Sequence, residues 1–186
     1  MRPRYPAGYF CCNKTLHMAN QLSADFSEFK LRVNIKTPVE NVYRAWTTPL
    51  GLESWFIGKV FFTDKRGVER AREEGAQPED EYHLAWHHAP DKVAMKGKVL
   101  KANGKNLYSF LFSKGFPVTI SIYTEHGETI CELIESNLPT DEESVRMHFV
   151  RESKGWIFYL ANLKSVLEGG LDLRNKNWDI KNVITH

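Results

Sequence analysis

The sequence predicts an α+β domain in which a curved antiparallel sheet of six to seven strands wraps around a long C-terminal helix. Three observations carry this. A period-two run at Phe29–Ile35 is followed at once by two helix-start signals. A series of short alternating runs separated by turn residues then extends to Ile134. Finally, the segment from Trp156 to Glu168 is strongly amphipathic.

In the first run Phe29, Leu31, Val33 and Ile35 alternate with Lys30, Arg32, Asn34 and Lys36, the mark of a strand with one buried face. Thr37-Pro38-Val39-Glu40 reads as a capping box with proline in the first turn. It opens a helix carrying Val39, Val42, Tyr43 and Trp46. Thr48-Pro49 repeats the cap-plus-proline signal for a second short helix through Trp55 and Phe56.

Lys59–Thr63 is the next strand candidate, and the charged stretch 64–80 reads as a loop or short helical excursion. Further strands follow at Glu81–His87, around Val93–Val99, and at Leu107–Phe112, Val118–Thr124 and Thr129–Ile134. Asn103-Gly104 is a strong hairpin signal, and Glu125-His126-Gly127 marks another turn. Such short connections imply antiparallel pairing.

Thr140-Asp141-Glu142-Glu143 reads as a second capping box, opening a short helix with Val145, His148 and Phe149. Gly155 suggests a break before the long helix. That helix carries Trp156, Tyr159, Leu160, Leu163, Val166 and Leu167 on one stripe, and Gly169-Gly170 ends it. Phe158 points away from the stripe, so it is exposed or covered by residues 171–186 or a second chain. The expected organisation is a disordered leader at 1–26 with Met18 as an alternative start, one domain at 27–170, and a tail at 171–186.

Composition narrows the function classes. With 186 residues, 42% hydrophobic content and a formal charge of +2, this is the profile of an ordinary globular domain. No basic stripe interleaved with aromatics points to nucleic acid. No run of about 18 apolar residues suggests membrane insertion. The three cysteines, Cys11, Cys12 and Cys131, form no disulfide framework, so a reducing cytoplasmic location is expected.

Two segments carry a family resemblance. Thr37-Pro38 through Trp46, then Leu52 to Trp55-Phe56, looks like the opening helix pair of the START-like, or SRPBCC, superfamily. Gly155-Trp156 with Tyr159-Leu160-Ala161-Asn162-Leu163-Lys164 and Leu167-Glu168-Gly169-Gly170 looks like its closing helix. The chain most resembles the branch similar to the C-terminal domain of the activator of the heat-shock-protein-90 ATPase, over roughly residues 27–170. The resemblance implies the helix-grip (Bet v 1-like) fold. The eukaryotic activator makes its main chaperone contact through an N-terminal domain, and the residues before Phe29 are too few to supply one. The 64–80 excursion is also longer and more charged than the family pattern.

A sheet wrapped around one helix leaves an apolar cleft wherever the helix does not fill the hollow. Trp156, Tyr159, Leu160 and Leu163 would wall it from the helix, Tyr82, Leu84 and Trp86 from the sheet, and Trp46, Trp55 and Phe56 would guard one end. The same residues serve equally as plain core, so both readings stand. The leading expectation is a non-enzymatic domain binding a small apolar or amphipathic molecule, as monomer or homodimer and without a cofactor. The alternatives are a chaperone-binding interaction module and a cyclase- or hydrolase-like enzyme. An apolar void of several hundred Å³ separates the first from the second, whose core would be solid.

Chemistry-bearing candidates are few. Glu132 would face inward if Ile130 and Ile134 do, and would then be a weak catalytic candidate. His83, His87 and His88 lack metal-ligand spacing, so no metal site is expected. Asp141, Glu142 and Glu143 are explained by helix capping, and Cys131 as a small buried hydrophobe.

Overall fold

The computed structural model describes residues 25–87, 92–177 and 179–180. The expectations for the leader before Asp25, for His88 and for the chain beyond Ile180 lie outside the described residues. The elements run β1 (Phe29–Ile35), α1 (Val39–Thr47), α2 (Pro49–Trp55), β2 (Lys59–Thr63), β3 (Glu81–Ala85), β4 (Met95–Ala102), β5 (Leu107–Leu111), β6 (Pro117–Glu125), β7 (Glu128–Glu135), α3 (Glu142–Ser144) and α4 (Val150–Leu167). The strands form one seven-stranded antiparallel sheet in the order β1-β7-β6-β5-β4-β3-β2. The first strand is thereby brought beside the last. The helices lie against one face: α1 on β5 and β6, α2 on β2, and α4 on β1 and α2.

Apolar residues run across the inner face of the sheet, whose register shifts once, in the β4–β5 ladder between Val99 and Lys101. Val118, Ile120 and Ile122 of β6 pair with Glu135, Leu133 and Cys131 of β7, and all six are buried. Tyr108 and Phe110 of β5 oppose Ile120 and Val118, and Val60 and Phe62 of β2 oppose Leu84 and Tyr82. The outer face is polar. Arg32 pairs there with Glu125, and Asn34 bonds Glu128.

Local signals explain most boundaries. Thr48 caps α2 by accepting from the Gly51 amide at 3.0 Å. Asn103 accepts three amides in the β4–β5 turn, where Gly104 takes a positive φ. His126 and Gly127 both have positive φ in the two-residue turn joining β6 to β7, the type I′ geometry that suits strand twist. Gly169 ends α4 with φ 79°, and the Gly170 and Gly169 amides donate back to Ser165 and Val166, a Schellman cap.

Three local expectations are corrected. Thr37 does not cap α1; its hydroxyl accepts from Asn41, and Pro38 occupies the cap position. Asp141, not Thr140, caps α3 through the Ser144 amide. The helix also runs unbroken through Gly155, and the irregularity lies earlier, in a π-helical turn at Val145–Phe149. One extra residue there rotates the start of α4 relative to α3. Phe158 is half-buried, edge-on to Tyr159 at 5.5 Å, and packed on the core.

Both sheet edges are closed. The β2 edge is covered by the 64–80 excursion, whose Arg70 amide donates to the Phe62 carbonyl. The Arg70 guanidinium bonds buried Asp80, and Arg72 pairs with Glu53 of α2. The β1 edge is met by α4: Lys164 Nζ donates to the Asn34 carbonyl at 2.6 Å, and Glu168 accepts from the Lys36 amide.

Gly97 stands opposite Tyr82, and a Cβ there would lie 2.4 Å from the Tyr82 ring. The Tyr82 hydroxyl donates to the Leu111 carbonyl at 2.5 Å, so the ring spans β3 to β5 over the glycine. Gly97→Ala is expected to displace the ring and destabilise the fold by about 1–3 kcal/mol, as overpacking does. Urea unfolding would measure the loss.

Candidate functional site

The predicted site residues converge because α1, α2 and α4 each turn an aromatic edge into the same hollow. Trp46 meets Trp55 at 4.6 Å and Trp156 at 5.9 Å between ring centres. Phe56 stacks on Trp55 and Trp156, both at 5.2 Å, and meets Tyr159 edge-on at 4.7 Å. Trp86 reaches Phe56 at 6.1 Å from just beyond β3 and is half-buried. Leu160 and Leu163 are buried along the same face of α4, and Tyr82 and Leu84 are buried on β3. All ten predicted residues therefore belong to one contiguous assembly.

The centre of this assembly is packed. An apolar void of about 20 Å³ remains to one side. It lies between Leu52, Phe56 and Ile57 at the end of α2 and Val60, Phe62, Tyr82, Leu84, Tyr108 and Phe110 of the strands. That volume holds roughly one water. It is far below the several hundred Å³ set out as the sign of a pre-formed chamber. Of the predicted residues, only Phe56, Tyr82 and Leu84 line it. Burial raises the pKa of both its tyrosines, so they stay neutral there.

Glu132 does not face inward. On β7 the inward residues are Cys131, Leu133 and Glu135, while Ile130, Glu132 and Ile134 point outward. Glu132 accepts from the Tyr123 hydroxyl at 3.2 Å and lies 3.6 and 3.7 Å from Lys30 and Arg32. Aliphatic residues on both faces left the phase of this strand open, and pairing with β6 settles it.

The buried carboxyl is instead Glu135, at 0% exposure. Trp156 Nε1 donates to its Oε2 at 2.8 Å, while Oε1 has no hydrogen-bond partner among the described residues. Burial pushes its pKa up to about 7, with the Glu152 charge adding to the rise and the Trp156 bond opposing it. Its sequence signal was an acid continuing the inward alternation of Cys131 and Leu133.

Two further polar residues escaped sequence reasoning. Asn162, fully buried on α4, donates to the Trp55 carbonyl at 2.6 Å. Arg174, beyond α4, donates to the carbonyls of Glu53, Ser54 and Ile57 at 2.9–3.0 Å. The histidines do not gather. His83 sits on the outer face opposite Phe61 and Lys96. His87 is half-buried, its pKa lowered by burial and then by the Arg174 and Lys176 charges. Among the described residues no group of three His, Cys, Asp or Glu could hold a metal ion. The Cys131 thiol is buried, and burial pushes it up to about 12, unsuited to nucleophilic work.

Glu135 yields a sign-definite prediction. Its folded pKa lies above the ordinary 4.5, so the folded chain binds the proton more tightly. The resulting stabilisation is complete below pH 4.5 and is lost as pH rises to about 7. The full span is about 3 kcal/mol. Glu135→Gln should flatten this slope and be the more stable protein at pH 8, as read by urea unfolding at pH 5 and pH 8.

Comparison with known proteins agrees with the fold. A protein from Staphylococcus saprophyticus superposes with a TM-score of 0.63 at 17% identity, covering 79% of this chain and 96% of its own. One from Nitrosomonas europaea gives 0.60 at 14% identity, covering 77% and 96%. One from Mesorhizobium loti gives 0.58 at 16%, covering 76% and 97%. At these identities the likeness speaks for the fold alone. No curated protein sequence matches. The profile of the family described as activator of Hsp90 ATPase homolog 1-like protein matches residues 36–168. That span runs from the end of β1 to the end of α4 and covers most of the chain, which therefore belongs to the activator of Hsp90 ATPase homolog 1-like family.

Proposed function

We propose that this START-like domain binds a small apolar or amphipathic molecule at the α2 end of its sheet–helix hollow. The observation behind the reading is the character of the void's lining, aliphatic and aromatic side chains, and not its volume. Apolar lining with a few hydroxyls at the margin is the common character of small-molecule sites. The void is too small to receive a ligand as it stands, so binding proceeds by opening. α2 moves away from β2–β5, and Phe56, Tyr82 and Leu84 become contact residues. Trp46, Trp156, Tyr159, Leu160 and Leu163 form the wall behind them, Trp55 travels with α2, and Trp86 stands at the rim.

Decanoate, an amphipathic chain with one charged end, is a suitable probe. Titration should give saturable chemical-shift changes centred on Leu52, Phe56, Tyr82 and Leu84. Leu84→Phe fills the void and should weaken binding about tenfold, the scale of a misfit in an apolar pocket. Absence of saturation, or shifts on the outer face of α4 alone, would refute the reading.

The packed centre of the hollow favours a second reading, an interaction module that works through its surface. Trp46, Trp55 and Trp156 leave little volume at the middle of the site. The family to which the chain belongs names a chaperone as one partner to test. Stimulation of ATP hydrolysis by purified heat-shock-protein-90 chaperone on adding this chain would support that reading, and an unchanged rate would count against it.

The enzyme alternative called for a polar pair inside the hollow. Glu135 is there, but its partner is the Trp156 indole, a donor with no acceptor capacity.

A further inference from the structure

The C-cap of α2 is Phe56, whose amide donates to the Leu52 carbonyl, with no glycine to turn the chain away. Trp55 is followed by Phe56 and Ile57, both buried, where a helix that ends in solvent often has glycine. Its last carbonyls are satisfied from elsewhere in the chain. The Leu52 carbonyl accepts from the Phe56 and Ile57 amides. Arg174 takes Glu53 and Ser54 through Nη2 and Ile57 through Nη1, and Asn162 takes Trp55.

The same guanidinium bonds Asp172 at 2.7–3.1 Å, and Asn162 reaches Asp172 Oδ1 at 3.1 Å while accepting from the Leu173 amide at 2.7 Å. Arg174 is 6% exposed. A cation at a helix C-terminus is also favoured by the helix dipole. One polar cluster therefore joins the end of α2, the middle of α4 and the segment 171–177.

We propose that the segment Leu171–Asn177 is a latch on the ligand site, with Arg174 as its bolt. Three of the void's lining residues, Leu52, Phe56 and Ile57, ride on the stretch of α2 that Arg174 and Asn162 hold. The opposite wall belongs to strands tied by continuous ladders, so the end of α2 is the movable side. The latch is held by polar bonds rather than by burial: Leu171 is 80% exposed and Leu173 45%. Polar bonds exchange with water at little net cost, whereas the aromatic cluster does not. Release of Arg174 frees the turn carrying Phe56 and Ile57 and admits an apolar or amphipathic chain.

This inference rests on the ligand reading above, and its test separates the two. Arg174→Gln keeps a polar side chain but is too short to span three carbonyls. Amide hydrogen exchange at Phe56 and Ile57 should quicken about tenfold, as local opening does, while Ile120 and Leu133 keep their protection. The association rate of decanoate should rise by a similar factor. Lys105→Ala, on the exposed β4–β5 turn away from the latch, should change neither. Should Arg174→Gln disturb Ile120 and Leu133 as well, Asp172→Asn loosens the bolt with less disruption and takes its place under the same criteria. Unchanged exchange at Phe56 and Ile57 would overturn the latch. So would equal decanoate rates in wild type and variant. Faster exchange with no decanoate bound by either protein would overturn the ligand reading and the gating role with it.

Discussion

Trp156 is the contact on which the arrangement turns. It is 2% exposed and touches all the layers: Trp46 of α1, Phe56 at the end of α2, and Phe112 at the end of β5. Its Nε1 is tied to Glu135 on the floor of the sheet. A large aromatic buried this way contributes on the order of 2–3 kcal/mol through apolar area alone. Its geometric effect is larger. Seated in the hollow, it sets how closely α4 approaches β7, and that distance leaves the aromatic edges of α1 and α2 only one place to pack.

The same contact explains why the hollow's free volume lies off-centre. Trp46, Trp55, Phe56 and Trp156 interlock in edge-on and stacked pairs over β5 and β6. Toward β2 and β3 the wall is α2, only seven residues long. A short helix leaves most of its last carbonyls to be satisfied by neighbours. The chain supplies Asn162 from inside and Arg174 from outside. The order of this end of the molecule thus rests on one set of polar bonds.

Legibility from sequence varied with the kind of feature. Of the ten aromatic and aliphatic candidates, eight are marked by helical or strand spacing and Trp55 and Phe56 by the helix start at Thr48, and all ten pack together. The polar members were less legible. In Glu128–Glu135 both faces carry aliphatic residues, so alternation alone leaves open which acid faces inward, and only the ladder with Ile120 and Ile122 shows that Glu135 does. Asn162 lies among apolar neighbours as a small polar residue on a helix, and Arg174 lies past the helix end, where no periodicity remained to read. Their roles depend on carbonyls more than 100 positions away.

What the amino-acid order determined alone was local and periodic: the strands, the helix start at Thr48, the glycine stop after Leu167 and the stripe of α4. These follow from backbone sterics and from hydrophobic spacing that each segment carries in itself. Tertiary structure decided which face of β7 is inside, how α2 ends and how much of the hollow stays open. Those depend on register, on carbonyls capped across the fold and on leftover volume, and each is a relation between distant residues.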